Sequence, residues 1–419
     1  MSSADTHLIR NALLDGHRTD CRITGTTITA LGDSLEPRED ETVLDAHGAT
    51  LLPGLADHHL HLFATAAAAA SLNLDGATTL PPPDPGTTGW VRAIGAGTEL
   101  RRTDLDAAWP HRPARVQHRS GALWTLNTAA VDLLSAGLSP DERRTGQLWR
   151  ADTRLRALLD NAGARAAVDL AALGCRLASY GITHVTDATP DLDAAALQTL
   201  SAGIPQHLLS LSAAGTGPRK IVLPDHQYPH PDDLARRIDA SHATGRPVAV
   251  HVVSSATLAI AIAALDTVGV LPGDRIEHAA VCDNSAADRL AELGIVVVTQ
   301  PSVYARHAAT FERDSDPTDR PWLWRYEELL SRGVRVIASS DAPYGDPNPW
   351  FTIRYASQRE PSLTPVTVLG SYLTEPTDPA GPPRTITVGA PADLCLHTTD
   401  TSTGTVTVTA TFAAGIRVH

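Results

Sequence analysis

Six side chains in this 419-residue chain carry the chemical argument. His59 and His61 stand one residue apart in "PGLADHHLH", His251 lies in "PVAVHVV", His278 in "RIEHAAV" and Asp341 in "VIASSDAP". The sixth, Lys220 in "GPRKIVLPDH", is the chain's only lysine; every other base apart from histidine is arginine. Arginine serves as well on a solvated surface, but it does not give up its proton, so a retained lysine points to chemistry that needs a neutral amine. In a strand, residues i and i+2 share a face, which turns His59 and His61 together and His58 away. Imidazoles joined by a carboxylate are ligands for a divalent cation of the zinc, iron or manganese kind. Taken singly, each residue has a plainer account. The HxH pair could be a polar loop, a strand histidine a satisfied core residue, Asp341 a cap, and Lys220 a surface residue that drifted. The plain account needs a separate buried explanation for each polar group; one shared site explains them together.

Such a site needs elements that bring distant residues to one place. The middle of the chain alternates strand-like runs with amphipathic stretches. The runs are "ATLLPGLADHH", "GITHVTDA", "HLLSLSA", "RKIVLPD", "PVAVHVV", "DRIEHAAV", "IVVVTQPS" and "VRVIASSDAP"; "DLAALGCRLASY", "PDDLARRIDASHATG", "SATLAIAIAALDTVG" and "SAADRLAELG" are helix-like. Eight runs in βα order predict an α/β fold, a (β/α)8 (TIM) barrel over residues 51–379, with the active site at the C-terminal strand ends. Both termini, 1–50 and 380–419, alternate β-branched with polar residues and predict a small β-sandwich domain built from the two ends. Residues 72–165 break the βα alternation. They hold the proline-rich "TTLPPPDPGTTGW" and the helix-like "WTLNTAAVDLLSAG", and are expected as an insertion after the first barrel strand, over the barrel mouth.

Composition narrows the partners. A net charge of −13 with no basic cluster argues against nucleic acid and against an anionic membrane surface. The four scattered cysteines form no CxxC pair, and the N-terminus lacks a basic stretch followed by an apolar one, so a cytoplasmic protein with reduced thiols is expected. The partner is a small-molecule substrate; self-association is left open.

On these residues the chain resembles the amidohydrolase superfamily. "LLPGLADHHLH" matches its Pro-Gly-x-x-Asp-x-His-x-His opening. "RIEHA" with "LGIVVVTQPS", "SSDAPYGDPNPW", "GITHVTDA" and "VGAPADLCL" narrow the likeness to the amidohydrolase 3 branch, with its N-substituted formamide deformylase-like proteins. The resemblance implies a metal-dependent hydrolase of an amide-like C–N bond. His59, His61 and Asp341 would bind one divalent ion and His251 and His278 a second. Lys220, carboxylated by CO2, would bridge the two, with zinc the first expectation. Asp341 would shuttle the proton. A carbamate offers two oxygens to a pair of metals, which an ammonium or guanidinium cannot. The sequence departs from the family pattern in "HVVSSATL", where Ser254, Ser255 and Ala256 replace a Gly-Asp-Arg-like stretch, and in "HRSGALWTLN", where Ala122 stands near an expected histidine. The formamide substrate is therefore not carried over. His118, Trp124, Tyr304, Arg306, His307 and Trp350 are expected substrate contacts. A mononuclear deaminase and a catalytically silent binding protein are the competing readings; the deaminase needs a glutamate where Ser254 stands.

Overall fold

The computed structural model describes residues 6–74, 76–81, 89–164, 168–225 and 227–419, and the chain divides into two compact units. One takes the residues up to Leu62 together with Leu170–His419; the other is Phe63–Asp169, wider at both ends than the 72–165 expected from sequence. Residues 82–88 of the proline-rich stretch lie outside the described residues.

Among the described residues of the first unit, eight parallel strands carry the candidate site: β1 (Leu55–Leu60), β2 (Ile182–Asp187), β3 (His207–Ser210), β4 (Arg219–Val222), β5 (Val248–Val252), β6 (Arg275–His278), β7 (Val296–Thr299) and β8 (Arg335–Ala338). They pair in two runs, β3-β2-β1 and β4-β5-β6-β7-β8. Backbone hydrogen bonds also cross between the runs. Lys220 N donates to Leu211 O just past β3 (2.8 Å), while Asp341 N donates to His59 O (2.7 Å) and His61 N to Ala342 O (2.8 Å) just past β8. β1, β6 and β7 are buried at every residue; β7 (VVVT) accordingly reads as an apolar run, while β1 (LADHHL) and β6 (RIEH) bury the polar residues of the site. The helices between them are cut by local signals. Asp283 caps Asn284–Leu293 by accepting from Ala286 N, Gly294 ends it at φ 67°, and Ala287 and Leu290 face inward.

The termini form one sheet, ordered Ile416–Arg417, Val406–Ala413, Leu394–Thr399, Thr50–Pro53, Thr6–Leu14, His17–Thr24, Thr27–Gly32, with Thr42–Asp45 also beside Thr6–Leu14. Two layers were expected; hydrogen bonding instead runs through one continuous sheet, because Thr6–Leu14 pairs on both sides. Ile28 from one end of it and Phe412 from the other share a core with Ile9, Ile23, Leu51 and Leu394, so the sheet curls around a single apolar cluster. The expected first barrel strand is also split. Thr50–Pro53 belongs to the terminal sheet and only Leu55–Leu60 to the parallel strands. Gly54 makes the break, at a point where a Cβ would run into the Thr183 side chain.

The second unit is built on a five-stranded sheet, Gln147–Trp149, Leu123–Leu126, Ala114–His118, Val91–Ala96 and Leu72–Asn73. "WTLNTAAVDLLSAG" is not helical throughout. Its first residues lie in Leu123–Leu126, and Asn127 then caps the helix Thr128–Leu134 by accepting from Ala130 N. No helix among the described residues is long and apolar enough to cross a membrane, and all four cysteines are free.

Candidate metal centre

Five of the eight strands deliver the six residues to one place. His59 is the next-to-last residue of β1 with His61 just beyond the strand, Lys220 lies in β4, His251 in β5, His278 closes β6, and Asp341 follows β8. Lys220 Nζ is 3.3 Å from His59 Nε2, and His278 Nε2 is 2.9 Å from His251 Nδ1. Asp341 Oδ1 lies 3.5 Å from His59 Nε2 and 3.3 Å from His61 Nε2, and Asp341 Oδ2 4.0 Å from His278 Nδ1. The rings of His59 and His278 stand 4.9 Å apart. His58 faces away, its Nε2 on Ser371 O (2.9 Å), as the strand alternation requires.

A second layer of side chains, which sequence reasoning missed, orients the first. Glu277 hydrogen-bonds His59 Nδ1 and is itself held by Arg275 Nε (2.5 Å), whose other end donates to His58 O (3.1 Å). Gln300 Oε1 meets His278 Nδ1 at 2.6 Å, and its amide donates to Val298 O and Ser339 Oγ. Thr189 Oγ1 meets His61 Nδ1 at 3.0 Å. Asp57 Oδ1 accepts from the amides of His59 (3.2 Å) and Ser340 (3.1 Å), locking β1 to the segment after β8. Occupying one ring nitrogen fixes which way the other points, as at metal-binding histidines. One signal was present in "RIEH": Arg275 and Glu277 are two apart on one strand face. The partners on β1 and β7 were not visible, since they come from remote strands.

Backbone and charge agree with a built site. His278 and Asp341 hold φ of 72° and 51°, left-handed values that cost a residue with a Cβ about 1–3 kcal/mol. Burial, and after it nearby Lys220, pushes His251 down to about 3. Burial likewise holds His59 and His278 well below their ordinary value, with Lys220 and neighbouring histidines adding to it, so these rings are neutral, the form that binds metal. Burial brings Lys220 down to about 8 against the opposing pull of Glu277 and Asp341, which favours the free amine relative to an exposed lysine. Asp341 Oδ1 is buried and accepts no hydrogen bond. A buried carboxylate oxygen without a donor, facing two imidazoles, fits a cation between them; His59, His61 and Asp341 bring ligand atoms within 4.8 Å of one another.

The expected substrate contacts each have partners within their own unit. Arg306 donates to Pro343 O (3.3 Å) and meets Asp346 (3.4 Å), and His307 contacts Tyr344 O (3.3 Å), so both fasten the loop after Asp341. In that loop Tyr344, unassigned from sequence, sets its ring edge-on to His61 at 6.1 Å. Tyr304 is buried with Val303, Leu323 and Trp324, its hydroxyl on Glu312 and its ring under Arg359. The indole of Trp350 donates to Tyr180 O (3.1 Å) and packs on His397 of the terminal sheet. In the second unit Trp124 is a core residue whose indole donates to Asp152 (2.8 Å), and His118 lies half-buried at a turn with Ser120.

A fold of parallel strands with a histidine, carboxylate and lysine cluster at the C-terminal strand ends is that of a metal-dependent hydrolase. The chain belongs to the amidohydrolase family, whose model matches residues 42–364, and is a hydrolase acting on carbon–nitrogen bonds. It is 25% identical to the N-substituted formamide deformylase of Arthrobacter pascens over 441 aligned positions, covering 81% of this chain and 80% of that one. Among solved structures it superposes on a metal-dependent hydrolase from Pyrococcus horikoshii OT3 with a TM-score of 0.65 at 17% identity, covering 87% and 88% of the two chains. The N-isopropylammelide isopropylaminohydrolase of Burkholderia multivorans matches with a TM-score of 0.54 at 17% identity over 99% and 98%.

Proposed function

We propose that the protein hydrolyses an amide-like C–N bond of a small molecule (N-acyl, N-formyl, ureido or cyclic amide) at a binuclear centre bridged by carboxylated Lys220. The observation that carries this reading is the position of the chain's only lysine, buried 3.3 Å from His59 among four histidines and Asp341. In the same reading the two strand runs close into one (β/α)8 barrel, supported by the backbone hydrogen bonds at both seams. His59, His61 and Asp341 would hold one ion and His251 and His278 the other, with the Lys220 carbamate between them; zinc suits the nitrogen-rich set, and iron or manganese would also fit. Bound metal in such a site lowers the pKa of water and polarises a carbonyl oxygen. The chain's own groups do the rest. Asp341 accepts the proton from the attacking water and returns it to the nitrogen as the C–N bond breaks, giving a carboxylic acid and an amine. Glu277 and Gln300 keep the rings of His59 and His278 from turning.

The mononuclear deaminase reading has one observation in its favour, the tight His59, His61 and Asp341 group. It lacks an acid to protonate a ring nitrogen: Ser254 stands at that position, and its hydroxyl donates to Asp225 (2.7 Å). Metal analysis of purified protein, followed by a panel of N-acyl, N-formyl, ureido and cyclic amide compounds, tests the proposal. About two ions among His59, His61, Lys220, His251, His278 and Asp341, located by anomalous diffraction, with C–N hydrolysis is the expected result; about one ion there with release of ammonia from a ring substrate would replace it with the deaminase.

A further inference from the structure

Away from the strand ends that carry His59 and Asp341, a second group of ligand-type residues converges where β2 and β3 meet the terminal sheet. His184 of β2 and His207, the first residue of β3, are register partners on adjacent strands. Their rings stack with centroids 4.6 Å apart and planes at 29°. Asp393, one residue before the strand Leu394–Thr399, places Oδ1 2.9 Å from His207 Nε2. One ligand atom from each of the three lies within 4.8 Å of the others. A cavity of about 500 Å³ opens on them, lined also by Pro53, Glu375 and Arg384.

We propose that His184, His207 and Asp393 form a second, separate site for a divalent transition metal of the zinc class, clamping the terminal sheet to β2 and β3. Two imidazole nitrogens and one carboxylate oxygen are a borderline-soft set that suits zinc and not magnesium or calcium, and the cavity leaves room for water to complete four-coordination. Arg384 and the Thr183 hydroxyl each lie 2.9 Å from His184 Nδ1; a guanidinium can only donate, so Nδ1 holds its lone pair toward Arg384, a donor that a cation would displace. His207 Nε2 carries the hydrogen it shares with Asp393, and a cation would take that hydrogen's place, releasing a proton on binding. The positive charge of Arg384 opposes a cation, but two carboxylates offset it: Glu375 Oε1 is 3.9 Å from it, and the charge of Asp393 also acts on it. Arg384 is anchored independently of His184 through Leu373 O and Gly54 O, so it can give up its bond to His184 without losing its place. Two stacked histidines 4.6 Å apart repel when both are protonated, whereas both can be neutral around one metal.

The test uses the full-length protein equilibrated with zinc alone. Zinc-edge anomalous diffraction is expected to show a peak between His207 and Asp393, and metal analysis one zinc fewer per chain in His207→Gln than in the wild type, with the ions at His59 and His61 unchanged. Zinc should also raise the melting temperature of the wild type more than that of His207→Gln or His184→Gln. His207 is half-exposed, so its replacement leaves the fold intact, which circular dichroism checks. Equal zinc content in wild type and His207→Gln, together with no density at the three residues, overturns the proposal.

Discussion

The two histidine clusters of the first unit use the same residue types and are built in opposite ways. In the central one His59 and His278 are buried, and each outer nitrogen meets a side-chain oxygen, from Glu277 or Gln300. In the cluster at the terminal sheet His207 is half-exposed, and His184 Nδ1 faces a cation, Arg384, as well as the Thr183 hydroxyl. Burial strips the central rings of their protons and lowers the one amine in the chain; the outer cluster has no amine and keeps an ion pair. A site meant to activate water needs the first construction, because reactivity depends on desolvated, fixed ligands. A site that ties two layers together needs only the second.

The largest effect that would separate the clusters is expected at Lys220. Lys220→Arg should lower turnover by more than about 100-fold, since removing even an outer partner of a metal ligand costs 10–100-fold. Zinc uptake at His207 should be unchanged. Lys220→Ala should regain part of its activity with added metal and a short carboxylic acid, whose two oxygens replace the carbamate. The assay is hydrolysis of whichever panel compound the metal-loaded wild type cleaves, with melting curves to show that the fold holds; full turnover in Lys220→Arg would remove the bridging role.

Next in size are the residues behind the central ligands. Glu277→Gln leaves Arg275 buried against a neutral partner, so a stability loss of about 3–5 kcal/mol is expected by denaturant titration. Gln300→Leu spares that pair and should weaken metal binding about 10–100-fold, read by competition with a chelator. If Gln300→Leu bound metal as tightly as the wild type, the ring of His278 would not depend on its outer hydrogen bond, and the contrast with the half-exposed cluster would lose its basis.

How much of this the sequence disclosed follows from where each partner comes from. His59, His61, His251, His278 and Asp341 were legible because each stands in or just past a strand-like run, a local pattern, and Lys220 because it is the chain's only lysine. Glu277 and Gln300 were not, because their meaning lies in a ring on another strand. His184, His207 and Asp393 come from three distant segments with no shared spacing and meet only once the sheets are placed. Trp350 shows a related limit: an aromatic residue near a motif satisfies local criteria for a pocket, while its indole packs on His397 of the terminal sheet. The break at Gly54 was hidden inside a run that reads as a single strand. Gly54→Ala tests that junction: the added methyl meets Thr183, and a loss of about 1–3 kcal/mol in unfolding free energy is expected, with metal content unchanged.

The smallest effect belongs to the outer cluster and depends on pH. In protein freed of metal by a chelator, His207 titrates above its ordinary 6.5, chiefly because its Nε2–H donates to Asp393, with burial pulling the other way. Asp393 titrates below its ordinary 3.8: burial pushes it up, but the bonds from His207 and from Ala414 N outweigh that. A raised histidine contributes its stability fully below the unfolded value and loses it as pH rises through the folded one. A depressed aspartate contributes above its unfolded value and loses it as pH falls through the folded one. The pair therefore stabilises the fold between those limits and fades above pH 6.5 as His207 deprotonates. The His207 side chain is 46% exposed, so solvent screening keeps the effect under about 1 kcal/mol. Denaturant unfolding of wild type and His207→Gln at about pH 5.5 and about pH 8.5 should give a larger difference at the lower pH. An equal difference at both would mean that His207 holds the two layers as a neutral donor, and that its charge plays no part in the seam.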